Sequence, residues 1–300
     1  MNGDSQASAE VEAPPEPESI APESIAPEPI TPGPVEQALQ ESAEITRDAF
    51  LGGLVQVLQP ARGAHRAGLD AVYLAAAVPP ATRGRVVDLG SGVGTAGFCL
   101  AARLPEVEVV LVDRDRAALD LAQQALALPD NAGFAPRVTI LEADITARGR
   151  ERHAAGLTPG LADHAIVNPP YYTDGRFRAS PAAPRAGAHV LDTRGLEPWV
   201  RVATDIVREG GTLTMIFRAD GLGEILHLLP GRFGAIDVIP LRPRPEAAAT
   251  RVLVRAVRAS RAPLRLLPGF VLHEGAGSDF TPEARAIMRD GAGLPPPPPR

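Results

Sequence analysis

The chain has 300 residues, 45% of them hydrophobic, a net charge of −6 and one cysteine. That is enough apolar material for one large α/β domain. The lone thiol, Cys99, excludes an internal disulfide and a CxxC-type thiolate zinc site; no metal is expected, and the setting is reducing and cytoplasmic.

In chain order, residues 1–43 come first as an acidic, Pro/Glu-rich stretch containing SIAPESIAPEPITPGP. It buries too little apolar surface to offset the entropy of ordering and reads as a disordered tail whose partner the sequence does not name. The start, MNGDSQASAE, has neither the basic nor the apolar part of a signal peptide. No apolar run approaches the roughly 20 residues of a membrane span. Residues 1–44 hold ten acids and no base, so the remaining 26 acids face 30 basic residues and the rest of the chain is net +4. All 30 of those are arginine, whose planar fork suits phosphate and base contacts.

Residues 44–290 read as one domain, with a lead-in over 44–80 and a core over 81–260. ITRDAFLGGLVQVLQP predicts a helix or a hairpin, and GLDAVYLAAAV a helix. Then strands and helices alternate: GRVVDLG, a strand; TAGFCLAARL, a helix; EVEVVLVD, a strand; RAALDLAQQALAL, a helix; RVTILEAD, a strand. DHAIVNPP is a fourth strand, EPWVRVATDIV an amphipathic helix ending at Gly210-Gly211, and TLTMIFR a fifth strand. LGEILHLLP predicts a helix, and GAIDVIPL and RVLVRAVR the last two strands. Residues 291–300 form a Pro-rich tail. The expected fold class is α/β: a doubly wound, mainly parallel seven-stranded sheet with disordered N- and C-terminal tails. In such sheets ligands sit at the carboxyl ends of the strands.

Three strand ends carry candidate ligand contacts. The first runs through Asp88 into Gly90, Gly92 and Gly94, a GxGxG loop with an acid two residues before it. Glycines there let the backbone approach a ligand and turn into a helix. The spacing differs from the GxGxxG dinucleotide fingerprint. The second strand ends at Asp113, whose carboxylate can accept ribose hydroxyls. The third ends at Asp144-Ile145, where the acid can accept from an adenine amine and the isoleucine can pack on the ring.

The fourth strand runs into Asn168-Pro169-Pro170-Tyr171. Two prolines cannot donate to a sheet, so they stiffen the chain and leave carbonyls exposed. A planar amine is a poor nucleophile because its lone pair is delocalised. Two acceptors on its hydrogens, the Asn168 amide oxygen and the Pro169 carbonyl, favour a pyramidal nitrogen able to attack a methyl sulfonium. Tyr171 offers a face for a flipped base. Positioning and electrostatics then supply the catalysis.

These motifs resemble class I S-adenosylmethionine methyltransferases, specifically the NPPY subgroup that modifies planar nitrogens. Upstream, Phe50-Leu51-Gly52-Gly53, Gln59-Pro60, Gly63 and Arg66-Ala67-Gly68-Leu69-Asp70-Ala71 are similar to the bacterial tRNA1(Val) adenine-N6 methyltransferase family. The resemblance covers residues 45–258 and implies a Rossmann-like fold, S-adenosylmethionine as cofactor and an adenine N6 in RNA, with tRNA the expected class, as acceptor. It also implies that Gly68 and Asp70 border the cofactor pocket and that Asn168 adjoins the cofactor. The family usually has Cys or Gly in place of Ser91 and often Glu in place of Asp113, both conservative changes; the acidic tail is outside its pattern. Alternatives are release-factor glutamine-N5 and rRNA guanine-N2 methyltransferases, and a non-catalytic RNA-binding protein on the same fold. Release-factor enzymes carry a helical domain ahead of the glycine loop, for which the 45 or so residues between the tail and Asp88 are too few.

Arg176, Arg178 and Arg185 follow the NPPY motif and are candidate phosphate contacts, with His189 a capping residue. Arg148, Arg150, Arg152 and His153 read as a solvated basic loop; Arg242 and Arg244 lie around the late strands with Arg251, Arg255 and Arg258, which share no period-two face and read as a solvated edge. Trp199 and Cys99 read as core.

Overall fold

The computed structural model describes residues 45–61, 68–170, 172–173, 190–191, 195–275, 277 and 279–299. The acidic tail expected over 1–43 lies outside them.

The lead-in is a hairpin rather than a helix: β1 (Ile45–Phe50) pairs antiparallel with β2 (Val55–Pro60). Val55 and Val57 are buried, while β1 alternates between exposed and half-buried positions. Helix α1 (Leu69–Ala77) follows and is buried from Ala71 through Ala77. A helix apolar on every side must be covered on every side. Next come β3 (Gly84–Leu89), α2 (Thr95–Arg103), β4 (Val107–Asp113), α3 (Arg116–Leu126), β5 (Val138–Glu142), α4 (Gly149–Ala154) and β6 (Ala162–Val167). Two short strands, β7 (Tyr172–Thr173) and β8 (Val190–Leu191), pair parallel. The chain continues through α5 (Glu197–Ile206), β9 (Val207–Arg218), α6 (Leu222–Leu228), β10 (Phe233–Arg242), β11 (Arg251–Arg258), β12 (Arg265–Leu266), β13 (Phe270–Val271) and α7 (Pro282–Asp290).

The seven long strands form one sheet in the order β5-β4-β3-β6-β9-β11-β10, and β12 and β13 extend it beside β10 to nine strands. Only β11 runs antiparallel to its neighbours. Strand β3 pairs with β4 on one side and β6 on the other, so the winding direction reverses there. That reversal is where doubly wound sheets open a ligand crevice. Successive side chains of β3 serve opposite faces. Val86 joins an apolar layer with the hairpin, α1, α2, α3 and α7, and Val87 and Leu89 join a second layer with α5 and α6.

Several expectations change. Helix α5 ends at Ile206, not at Gly210-Gly211. Val207 turns extended and pairs with Ala162, and the register slips by a bulge before His164 pairs with Thr212. The expected basic loop contains the short helix α4. Its Arg152 is only 5% exposed, donating to the Ala147 carbonyl (2.7 Å) and the Asp205 carboxylate (3.3 Å). The supposed arginine edge is β11, an interior strand. Arg251 pairs with Asp70, Arg255 reaches Asp237 and the Ala77 carbonyl, and Arg258 donates to the Thr204 carbonyl.

The C-terminal segment, expected to be free, is anchored at its start. Helix α7 is capped by Thr281, whose Oγ1 accepts from the Ala284 amide (3.2 Å), and closed by Gly291 in the left-handed region. Leu294 N–H then donates to the Ala76 carbonyl (2.9 Å), and Arg103 Nε to the Gly291 carbonyl (2.9 Å). The tail thus satisfies helix-end groups that would otherwise be orphaned.

One buried amide joins the lead-in to the core. Asn131 accepts from the Gln56 amide (2.9 Å) and donates to the Gln56 and Ala125 carbonyls (2.8 and 2.7 Å). Asn131→Ala strands the buried Gln56 amide and carbonyl, while the Ala125 carbonyl keeps the Leu128 amide (3.0 Å), and should cost about 2–4 kcal/mol, more than the roughly 1 kcal/mol of one ordinary hydrogen bond. Urea denaturation measures this; a loss below about 1 kcal/mol would mean water replaces the side chain.

Candidate active site

The ends of β6, β3, β4 and β5 lie side by side and carry Asn168, Gly90, Asp113 and Asp144. Inside β3, Asp88 is 1% exposed and accepts from the Gly97 amide of α2 at 2.9 Å. Burial pushes this carboxyl up to about 7; the Gly97 hydrogen bond opposes the rise and the nearby Asp113 charge adds to it.

The loop after β3 is tied down by its neighbours. Gly90 and Ser91 amides both donate to the Val112 carbonyl (2.8 and 3.0 Å). Asp113 is buried; one carboxylate oxygen accepts from the Gly92 amide (2.7 Å) and the other from the Asp115 amide (2.9 Å). The acid expected to meet a ligand therefore also fixes the glycine loop.

The three loop glycines have positive φ for three different surroundings. A Cβ on Gly94 would stand 2.7 Å from Leu111 Cδ1, and one on Gly90 2.4 Å from Trp199 Cη2. A Cβ on Gly92 would meet nothing within 4 Å, so this glycine borders open space. Gly97 went unnoticed in the sequence because it falls within a helical pattern. Its Cβ would lie 2.4 Å from Leu111 Cδ2, which makes it the point where α2 rests on β4. Its spacing from the loop was the available signal.

Asp144 Oδ1 accepts from the Thr146 amide and hydroxyl, both at 2.7 Å, and Ile145 beside it is buried. Asp70, at the start of α1, receives Arg251 Nε at 2.9 Å. Asn168 and Pro170 are half-buried and Pro169 is buried. Tyr171, Arg176, Arg178, Arg185 and His189 lie outside the described residues, as do Gly63 and Arg66. Cys99 is core, as expected: it is fully buried and its thiol is pushed up to about 12.

The model of the methyltransferase small domain matches residues 70–239, more than half of the chain and including every strand end just described. The chain belongs to this family. It is an S-adenosylmethionine-dependent methyltransferase. The methyltransferase is 36% identical to a solved structure from Agrobacterium tumefaciens described as a predicted O-methyltransferase, with a TM-score of 0.65 over 75% of this chain and 98% of that one. It is 32% identical to the tRNA1(Val) (adenine(37)-N6)-methyltransferase of Salmonella arizonae over 52% of this chain and 59% of the relative. It is 28% identical to the release factor glutamine methyltransferase of Chlorobaculum tepidum over 51% of this chain and 52% of that relative. The match thus spans about half to three fifths of these two curated relatives. Among the described residues no group of three or more His, Cys, Asp or Glu is placed to hold a metal ion, and no helix is long and apolar enough to cross a membrane.

The raised Asp88 carboxyl gives a pH-dependent test. Its folded value near 7 lies above the ordinary 3.8, so the folded state binds this proton more tightly than the unfolded one. The resulting destabilisation is absent below the ordinary value, grows as pH rises toward 7 and is complete above it. Asp88→Asn keeps an acceptor for Gly97 and removes the charge. It should raise Tm by at least about 2 °C at about pH 8.5, with the gain shrinking steadily as pH falls from about 7 to about 5. Thermal melts across that range check it; a gain independent of pH would count against the assignment.

Proposed function

We propose that the methyltransferase transfers a methyl group to the exocyclic N6 of adenine in RNA, with tRNA the leading substrate class. The observation that carries this reading is the Asn168-Pro169-Pro170 turn at the end of β6, one strand from the glycine loop at the end of β3.

The residues present fit the cofactor. Gly92 faces open space with backbone that a side chain would strain, and three acids surround the same strand ends. When bound, S-adenosylmethionine supplies an electrophilic methyl group on a sulfonium. Asp113 would hold the ribose hydroxyls. A carboxylate offers about four lone-pair sites, and the Gly92 and Asp115 amides use two of them. Asp144 would accept from the adenine amine, Ile145 would support the ring, and Asp70 would border the pocket. Asn168 and the Pro169 carbonyl would accept the two hydrogens of the acceptor amine and so free its lone pair. Tyr171 would stack on the flipped base.

Charge supports an RNA acceptor. Arg242 stands at the end of β10 on the same side of the sheet as Asn168 and exposed Arg244 follows, while neighbouring Arg218 and Arg251 are paired with Asp220 and Asp70. The cytoplasm is the compartment this substrate implies.

Radiolabelled methyl transfer to total tRNA, total rRNA, release factor and a catechol-type hydroxyl acceptor, followed by nucleoside analysis, tests the reading. N6-methyladenosine in RNA is the expected product; label confined to release factor or to the hydroxyl compound sinks it. Asn168→Ala should lower turnover by about 10²-fold or more, the scale of one preorganised transition-state hydrogen bond. Cofactor affinity by calorimetry should stay within a few-fold, and near-normal turnover would make the loop structural. Paired Arg242→Gln and Arg244→Gln should weaken RNA binding uniformly across sequences and flatten the salt dependence by about two charges. An unchanged slope in salt titrations would remove these arginines from the RNA surface.

A further inference from the structure

Helix α5 reaches the glycine loop through one side chain. Trp199 is the chain's only tryptophan, it is half-buried, and its ring lies against Gly90. A Cβ on Gly90 would stand 2.4 Å from Trp199 Cη2 and 2.6 Å from Cζ3. The indole therefore occupies the volume that any other residue at position 90 would need.

The helix holding this ring is itself firmly placed. Val200, Val202, Ala203 and Ile206 are buried in the second apolar layer, and the Leu196 amide donates to Glu224 Oε1 at 2.7 Å. Strand β3 ends at Leu89, just before Gly90, and its direct neighbour β6 ends at Val167, just before Asn168, with Leu89 opposite Val167. Trp199 thus stands where the cofactor loop and the acceptor turn adjoin. A glycine at φ +68 is held by no side chain of its own. A rigid aromatic wall can confine it at little entropic cost, since only two side-chain torsions are frozen.

We propose that Trp199 is a positioning residue for methyl transfer: its indole fixes Gly90, and with it the cofactor loop, relative to the acceptor turn. It acts through the loop's backbone rather than on the acceptor amine.

The test uses the full chain and S-adenosylhomocysteine as the probe. Because no other tryptophan contributes, saturating probe should change the emission of Trp199 directly. Trp199→Ala should weaken probe binding by roughly tenfold or more in calorimetry, with Trp199→Phe between it and the wild type. Gly90→Ala should also weaken binding, because its methyl meets the indole. The double variant Gly90→Ala/Trp199→Ala should bind the probe better than Gly90→Ala alone, since the methyl then enters the space the ring left. A merely structural tryptophan would lower thermal stability, leave probe affinity unchanged and combine additively with Gly90→Ala. Either that pattern or emission unmoved by saturating probe overturns the proposal. Should Trp199→Ala not fold, Trp199→Phe and the wild-type emission carry the same decision.

Discussion

A carboxylate kept from water joins the first strand of the sheet to the helix that follows the glycine loop. Asp88 is buried inside β3, yet its acceptor is spent on the Gly97 amide in the first turn of α2. The bond closes a clasp around residues 89–96, so the loop between has little freedom left. Asp113 closes a second clasp from β4 by taking the Gly92 and Asp115 amides. The loop's shape is therefore set by acids on two adjacent strands rather than by its own sequence. A buried carboxylate costs stability unless it is hydrogen-bonded, and this one is retained with its proton affinity raised.

Arginine does every cationic job in this chain, and many of those jobs are internal. Arg137 donates to the carbonyls of Leu104, Val107 and Ala101 at 2.9, 3.0 and 2.7 Å, gathering the loose ends of α2 and the turn beyond it. Asp237 receives both Arg255 and Arg265. The delocalised, weakly hydrated guanidinium tolerates such half-buried positions better than an ammonium would. A count of basic residues therefore overstates the charge available to an anionic ligand.

The alternation of strands and helices was legible because each buried strand is a short apolar run ending in a turn residue. GRVVDLG and EVEVVLVD end at Leu89 and Asp113 as their patterns imply. The strand ends also marked the candidate site, since Asp88, Gly92, Asp113 and Asn168 carry chemistry that periodicity does not need, and the structure brings their strand ends side by side. The misses have physical causes. Val207 leaves α5 because strand pairing with Ala162 outweighs a helical pattern that runs on locally. Arg251, Arg255 and Arg258 resemble an exposed edge, yet each finds a partner that sequence alone cannot supply. Helix α7 has a Thr-Pro start and a glycine stop, but its two buried residues, Ala284 and Ile287, make too weak a stripe to notice. Trp199 was expected in the core but is half-buried against it, and its contact with Gly90 joins residues over a hundred positions apart.

Strand β11 is made after β10 but lies between it and β9. Until residues 251–258 leave the ribosome, β9 has an open edge and β10 has no place in the sheet. The cofactor-side half, β3 to β9, can assemble earlier, since its parallel pairs draw only on residues already synthesised. Cotranslational folding would then halt with an unpaired strand rich in Leu213, Met215, Ile216 and Phe217 facing solvent or a chaperone. Strand β9 itself carries Arg208 near its start and Arg218 at its end, charged flanks that discourage its open edge from adding a strand of another chain before β11 arrives.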